Sequence, residues 1–181
     1  MHERRFNREI ERLRDPERVA RMEVSRVVAL SLEGLKTPKE VLDIGAGSGL
    51  FAEEFVKSRL TVTGLDANPE MLPVAQQYVP FGIFKEGVAE QLPFPDGSFD
   101  LAFMGLLLHE TDDPIAALRE ARRVSRQRLA ILEWPKEEQD FGPPLAHRIS
   151  SEKISKLSEE TGFRSFKFIQ LQYLTLYLLE S

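Results

Sequence analysis

Short apolar runs alternate along the chain with longer segments in which apolar residues recur every three or four positions. Continuous short apolar runs are typical of strands buried on both faces, whereas the wider spacing is typical of amphipathic helices. The runs predict strands at 41–44, 60–65, 81–84, the beginning of 101–108, 129–134, 163–169 and 173–179. Because strands and helices alternate, the pattern predicts an α/β fold with a mostly parallel, right-handed, doubly wound sheet and helices on both faces.

Asp or Asn followed by Pro marks three predicted helix starts, because Asp and Asn cap helices and Pro fits the first turn. These pairs are Asp15-Pro16, Asn68-Pro69 and Asp113-Pro114. The first pair predicts one helix from Pro16 to a cap at Gly34, and Ser150 predicts the start of a helix that stops at Gly162. Acid–base pairs at helical spacing predict helices with solvated charged faces in the N-terminal region. The pairs are Arg5/Glu9, Arg8/Glu11 and Glu17/Arg21.

The stretch from Glu40 to Leu50 runs from a buried strand into glycines at every second position, and then into a helix. Gly45, Gly47 and Gly49 permit positive φ and close approach of a ligand to the backbone. The N–H groups of the first helical turn lack partners within the helix and would face that ligand. The dinucleotide fingerprint Gly-x-Gly-x-x-Gly would need a glycine where Leu50 stands, so the spacing does not favour a nicotinamide dinucleotide.

The pattern Asp43-x-Gly45-x-Gly47-x-Gly49 resembles motif I of the class I S-adenosylmethionine (SAM)-dependent methyltransferases. Residues 86–100 resemble the third motif of the same family and the approach to its fourth strand. The resemblance covers residues 39–134 and is nearest to the small-molecule branch that includes quinone-biosynthesis methyltransferases. It implies a Rossmann-like sheet of seven strands with an antiparallel last strand, and SAM as the cofactor at the carboxyl ends of the strands.

The resemblance also implies which residues contact the cofactor. Asp66, at the end of the second strand and about 20 residues beyond the turn, would accept hydrogen bonds from the ribose hydroxyls. Val88 stands where the family usually has a polar residue, so recognition of adenine would rest on the backbone of Ala89 and on Glu90. The full set is Asp43, Gly45, Ala46, Gly47, Gly49, Asp66, Ala67, Met71, Val88, Ala89, Glu90, Met104 and His109.

Methyl transfer from a sulfonium depends mainly on in-line positioning and exclusion of water, so a catalytic base is optional. If the acceptor loses a proton, the candidate bases are His109, Glu133 and His147. Each has a second interpretation: His109 packs beneath the methionine part of SAM, Glu133 pairs with an arginine, and His147 lies on the surface or binds the acceptor. His147 belongs to the proline-rich segment Pro135 to Ile149, which predicts a functional loop.

The composition narrows the chemistry further. The chain has no cysteine, which excludes disulfides, thiolate metal sites and a thiol nucleophile. Its net charge of −5 argues against a nucleic-acid substrate. The apolar segment Met104 to Leu107 instead favours a small, partly hydrophobic methyl acceptor, and no metal site is indicated. No stretch approaches the roughly 20 apolar residues of a membrane span, so a cytoplasmic protein is expected.

At this length the chain predicts a single methyltransferase domain over residues 1–181. Its expected parts are an N-terminal helical cover (1–35), a SAM-binding core (39–134), a loop over the acceptor site (135–149) and a closing helix with strands (150–181). A non-catalytic SAM-binding or interaction module stays open, because Ser125 to Arg128 replaces the family's usual Leu-Lys-Pro-Gly-Gly turn. A nicotinamide-dependent oxidoreductase is a weaker alternative. The sequence leaves the acceptor, the atom methylated and the oligomeric state open.

Overall fold

Seven strands form one sheet in the computed structural model of the protein, which describes residues 10–180. They are β1 (Glu40–Ile44), β2 (Thr61–Asp66), β3 (Ile83–Glu86), β4 (Phe99–Gly105), β5 (Ser125–Glu133), β6 (Ser165–Gln170) and β7 (Thr175–Glu180). Their order across the sheet is β3-β2-β1-β4-β5-β7-β6. The first five strands are parallel to one another, and β7 is antiparallel to both β5 and β6. The predicted doubly wound sheet with an antiparallel last strand is confirmed.

The helices are α1 (Pro16–Arg21), α2 (Val24–Leu32), α3 (Leu50–Lys57), α4 (Met71–Tyr78), α5 (Pro114–Val124) and α6 (Ser151–Glu160), with 3₁₀ turns at Ile10–Arg14, Leu108–Glu110 and Leu145–His147. The side chains of Asp15, Asp113 and Ser150 accept hydrogen bonds from first-turn N–H groups at 3.0 to 3.2 Å, which confirms three predicted helix starts. The start predicted at Asn68-Pro69 is wrong. Asn68 Oδ1 instead accepts from the N–H of Glu70 at 3.0 Å in a local turn, and α4 begins only after that turn.

The helix predicted to run from Pro16 to Gly34 is interrupted, so that prediction is wrong in part. The chain leaves the right-handed helical conformation at Glu23, whose φ is 45°. The Glu23 carboxylate accepts hydrogen bonds from the backbone N–H of Gln172 at 2.9 Å and from the Arg26 guanidinium at 2.6 Å. The bond from Gln172 fastens the bend to the turn between β6 and β7, and the bond from Arg26 is local to the start of α2. The predicted pairs Arg5/Glu9 and Arg8/Glu11 lie outside the residues whose side chains are described.

The observed strand limits differ from the predicted ones by a few residues, and the differences at β3 and β5 have clear structural reasons. Strand β3 begins at Ile83, because Phe81 lies in the preceding turn with 96% of its surface exposed. Strand β5 begins at Ser125, since α5 passes directly into it and residues 125–128 already pair with β4. A register shift near the start of β4 accommodates this early beginning.

Successive residues of the central strands are buried on opposite faces of the sheet. Leu42 and Met104 pack with α5 and α6 on one face, whereas Val41 and Phe103 pack with α2 and α3 on the other. Both faces of β1 and β4 are therefore out of water, which explains their continuous apolar sequence. Polar side chains that could bind a ligand are therefore expected at the strand ends and in the loops that follow them.

None of the helices formed by residues 10–180 is long and apolar enough to cross a membrane. The predicted division of the chain into parts at 1–35, 39–134, 135–149 and 150–181 stays a prediction.

Candidate functional site

A cavity of about 1060 Å³ opens at the carboxyl ends of the parallel strands. The segments that follow β1 to β5 line it, together with the N-terminal residues from the first 3₁₀ turn to the end of α1. Ligands of open α/β sheets bind at this edge. The predicted site residues that line the cavity are Gly45, Gly47, Asp66, Ala67, Met71, Val88, Ala89, Glu90 and His109.

The turn between β1 and α3 presents its backbone to the cavity. Gly45, Gly47 and Gly49 have φ values of 73°, 51° and 74°, in the left-handed region that favours glycine. A Cβ on Gly45 would lie 2.8 Å from Leu107, and a Cβ on Gly49 would lie 3.1 Å from a backbone atom of α4. A Cβ on Gly47 would meet only Leu13 among the described residues, at 3.6 Å. Of the three glycines in this turn, Gly47 therefore has the most space beside it.

Asp66 lies at the end of β2, next to the glycine turn. Its Oδ2 accepts a hydrogen bond from the N–H of Gly47 at 2.7 Å, and its Oδ1 accepts one from the N–H of Asn68 at 2.9 Å. These two bonds hold the carboxylate in place at the cavity wall. Because each carboxylate oxygen has a second lone pair, Asp66 can still accept hydrogen bonds from a ligand.

Asp43 lies behind the glycine turn rather than at the cavity surface, and only 2% of it is exposed. Burial, and secondarily the charge of nearby Asp66, raises the pKa of Asp43 to about 7. Its Oδ2 has no hydrogen-bond partner in the described part of the chain. The arrangement places a carboxyl group that titrates near neutral pH directly beneath the turn.

The segment after β3 closes one side of the cavity. Val88, Ala89 and Glu90 line it, and the apolar side chains of Leu65 and Met71 lie nearby on the same wall. Glu90 Oε1 accepts a hydrogen bond from the N–H of Asp112 at 2.9 Å, which ties this segment to the loop before α5. The result is a slot with apolar sides and a carboxylate at its rim.

His109 and Glu133 form a buried pair at the ends of β4 and β5. His109 Nδ1 lies 2.8 Å from Glu133 Oε2, and the backbone N–H groups of His109 and Trp134 donate to the same carboxylate at 3.1 and 3.2 Å. Burial by itself would lower the pKa of His109, but the charge of Glu133 and its hydrogen bond outweigh burial and raise it. His109 Nε2 lies 3.7 Å from Glu110 Oε1. The pairing of Glu133 with an arginine, one of the two interpretations of this residue, is not observed among the described residues.

The loop 135–149 packs against Trp134 and forms an aromatic wall. Phe141 stacks at a tilt on Trp134 with ring centroids 5.8 Å apart. Gly142 has a φ of 88°, and a Cβ there would lie 2.9 Å from the Trp134 ring. The Arg148 guanidinium is buried and donates to four backbone carbonyls of the loop and to the side chain of Gln139. Arg148 therefore holds the loop together.

The 3₁₀ turn Ile10–Arg14 and α1 lie over the glycine turn. The Arg14 guanidinium donates to the carbonyl of Ser48 at 3.0 Å, pairs with Glu53 at 2.7 Å and lies 3.3 Å from the centre of the Tyr78 ring. These contacts dock the segment that carries Leu13 beside Gly47. The side of the cavity away from the sheet is thus formed by residues that precede β1.

Arg18 and Arg21 of α1 line the same cavity. Arg18 donates to the carbonyl of Leu13 at 2.9 Å, and the Arg21 guanidinium lies 4.8 Å from the centre of the Phe141 ring. Glu17 and Arg21 lie on one helix, as their spacing predicts, and Glu17 is exposed. The solvated position predicted for Arg21 is wrong, because Arg21 lines the cavity and contacts the Phe141 ring.

Several predicted site residues do not reach the cavity surface. Ala46, Gly49, Met104 and Glu133 are buried and do not line it, and the same holds for Asp43. His147 lies in the exposed 3₁₀ turn Leu145–His147 and is not among the residues that line the cavity. The roles assigned to these residues stay predictions.

The sequence predicted an N-terminal cover and a loop here but did not identify the individual side chains that these segments and the end of β5 contribute. These are Leu13, Arg14, Arg18, Arg21, Trp134 and Phe141. The one available signal was the spacing of Arg18 and Arg21, which places both on the same face of a helix. That spacing does not distinguish a face in water from a face over a cavity.

Comparison with known proteins relates the chain to methyltransferases. A family described as "Methyltransferase domain" matches residues 42–129. Demethylmenaquinone methyltransferase of Thermotoga maritima is 39% identical over 112 residues, which are 60% of this chain and 48% of that protein. Malonyl-[acyl-carrier protein] O-methyltransferase of Serratia marcescens is 37% identical over 94 residues, which are 52% of this chain and 37% of that protein. The matches thus span half or less of these relatives' length.

Solved structures are similar over nearly the whole chain. A SAM-dependent methyltransferase from Aquifex aeolicus has a TM-score of 0.82 and 27% identity, with 94% of this chain and 96% of that chain covered. A possible histamine N-methyltransferase from Thermotoga maritima has a TM-score of 0.77 and 24% identity, with 98% and 96% covered. The second likeness concerns the fold alone.

Proposed function

We propose that the protein transfers a methyl group from S-adenosylmethionine to a small organic acceptor, because the chain belongs to the class I SAM-dependent methyltransferase family. One observation carries the proposal: Gly47, Asp66 and the segment 88–90 come from separate parts of the chain and line one cavity. The same cavity continues to His109 and Trp134. Its volume, about 1060 Å³, is at the upper end for a single small ligand and gives room for a second.

The residues present fit SAM. Gly47 offers an open backbone position at the start of α3, where a helix N-terminus favours negatively charged groups such as a carboxylate. Asp66 has acceptor capacity for ribose hydroxyls, and Leu65, Met71 and Val88 provide apolar surface for a flat base. Bound SAM would supply a methyl group on a sulfonium, from which a neutral thioether departs.

The chain's own contribution is to position the acceptor and exclude water. The docked N-terminal turn and the loop held by Arg148 flank the cavity and shield it, and such shielding favours displacement reactions. Glu133 orients the His109 ring through Nδ1, so the neutral ring would present Nε2 as an acceptor. His109 would take a proton from an acceptor hydroxyl or amine as the methyl group is transferred.

The first test measures binding and turnover separately. Calorimetry with SAM and with S-adenosylhomocysteine (SAH) should show saturable binding to the intact chain. Release of SAH should then be followed across a panel of hydroxylated quinone precursors, acyl thioesters and amines. Relatives named for demethylmenaquinone and for malonyl-[acyl-carrier protein] guide the first two classes.

The outcomes separate the three functions considered. SAM binding with SAH release supports the methyltransferase, whereas SAM binding without release on any acceptor favours a binding module. Thermal stabilisation by NAD but not by SAM or SAH would overturn the proposal in favour of a nicotinamide enzyme. A proton-accepting role of His109 predicts that His109→Gln lowers kcat and removes the acidic limb of its pH profile while SAM affinity is kept. An unchanged pH profile would exclude a proton-accepting role of His109 and would support the interpretation that His109 only packs beneath the cofactor.

A further inference from the structure

The order of strands divides the cavity into two halves. Asp66 and the segment 88–90 follow β2 and β3, on one side of the glycine turn after β1. Trp134 and the loop that packs on it follow β5, on the other side. Because the cofactor motifs occupy the first half, the second half, beyond the glycine turn, is the part available to the acceptor.

Two cationic side chains and two aromatic rings meet in this second half. Arg18 and Arg21 project from consecutive turns of α1, and Phe141 and Trp134 form the facing wall. The Arg21 guanidinium lies 4.8 Å from the centre of the Phe141 ring. Among residues 12–180, whose side chains the structure describes, no carboxylate forms an ion pair with Arg21, and the contact found for this cation is an aromatic ring.

The charges around Arg18 differ from those around Arg21. Burial lowers the pKa of Arg18, the nearby charge of Glu110 acts in the opposite direction, and the positive charge of Arg21 adds to the lowering. Two guanidinium groups close enough to influence each other thus share one part of the cavity. Arg18 lies near a negative group of the protein itself, whereas the Arg21 guanidinium has no hydrogen bond to a side chain or carbonyl among residues 12–180 and can take a further acceptor there.

We propose that the acceptor is a small carboxylate with a flat apolar body, bound through its carboxylate to Arg21 and through its body to the wall formed by Phe141 and Trp134. Arg18 adds positive potential at the same end of the cavity. A guanidinium matches a carboxylate with two parallel hydrogen bonds, and aromatic walls favour planar apolar groups. The proposal rests on the methyltransferase function and adds the class of acceptor to it.

The methionine carboxylate of SAM has the same chemistry as the carboxylate of an acceptor, so the test must separate the two. Trp134 is the single tryptophan of the chain and lines the cavity, so its fluorescence reports binding there. The probes are phenylacetate and 3-phenylpropionate, each compared with its neutral amide, titrated into protein saturated with SAH. We expect the carboxylates to bind at least about tenfold more tightly than the amides.

The variant Arg21→Gln should remove this preference while the SAH dissociation constant and the melting temperature stay unchanged. Arg21→Lys should restore only part of it, since an ammonium keeps the charge but lacks the fork geometry. Arg164→Gln, at an exposed arginine outside the cavity lining, is the matched control and should keep the preference.

Three results would overturn the proposal. The amides could bind as tightly as the carboxylates, neither kind of probe could change the Trp134 fluorescence, or Arg21→Gln could weaken SAH while the preference persists. The last result would assign Arg21 to the cofactor's carboxylate. Failure of SAM and SAH to bind at all is a different outcome, because it would refute the methyltransferase function itself.

Discussion

The buried carboxyl group of Asp43 should make the free energy of unfolding depend on pH, and the substitution Asp43→Asn should remove this dependence. Burial, with the charge of Asp66 as a second cause, raises the pKa of Asp43 from an ordinary 3.8 to about 7. In the unfolded chain the group ionises near the ordinary value. Between these two pH values the folded state binds a proton that the unfolded state has lost, so stability falls as the pH rises.

The magnitude follows from the two pKa values. Each pH unit between them is worth about 1.4 kcal/mol, so the interval of about three units amounts to roughly 4 kcal/mol. Asn has no charge at any of these pH values and nearly the same shape as the protonated acid. The unfolding free energy of Asp43→Asn minus that of the parent should therefore grow from pH 4 to pH 7 and level off above pH 7.

Urea unfolding of both proteins at several pH values between 4 and 8 measures this difference. A constant offset between parallel profiles would refute the reasoning, whatever the size of the offset, because a packing effect does not titrate. Asp100→Asn is the matched control of opposite sign. Burial by itself would raise the pKa of Asp100, but Arg126 and the N–H groups of Lys39 and Glu40 hold it well below its usual range. That variant should lose stability at neutral pH and approach the parent in acid.

Three further predictions concern residues at or behind the cavity surface. Asp66→Ala should weaken SAM binding in calorimetry by on the order of tenfold or more, since charge-assisted hydrogen bonds to the ribose are lost, and unchanged affinity in a folded variant would remove this assignment. Gly47→Val should fold with a modest loss of melting temperature, because its Cβ would meet Leu13 only at 3.6 Å, yet it should lose SAM binding; normal binding would contradict the role of the turn. Glu133→Gln should lower the pKa of His109, as measured by NMR titration. In the parent, the raised pKa of His109 stabilises the folded state below the ordinary histidine pKa, and this stabilisation is lost as the pH rises through the raised pKa. The variant should lack this pH-dependent stabilisation. An unchanged His109 titration would show that Glu133 does not control this ring.

The sheet and most helix starts could be predicted from the sequence, because their signals are local. The apolar run of β1 and the pair Asp113-Pro114 each act within a few residues, and the structure confirms both. The errors fall where a distant contact overrides the local pattern. The helix from Pro16 breaks at Glu23, whose carboxylate binds the N–H of Gln172, 149 residues away.

The site shows the same division. Gly45, Gly47 and Asp66 could be placed from spacing alone, since parallel strands bring their carboxyl ends to one edge, and the 2.7 Å bond between Gly47 and Asp66 joins two such ends. The spacing along the chain does not tell which face of α1 lines the cavity, and the position of Arg21 in the sequence is typical of a solvated charge. Only the packing of loop 135–149 against Trp134 brings Phe141 beneath its guanidinium.

The sequence by itself therefore determined the order of the elements and the motif proposed to bind the cofactor, because each depends on neighbours along the chain. The tertiary structure decided the partner of His109, the burial of Arg148 within its loop and the direction of Arg21. Each of these depends on groups brought together only when the sheet closes and water is excluded from its edge. The charge state and contacts of a side chain follow from that environment rather than from the residue type.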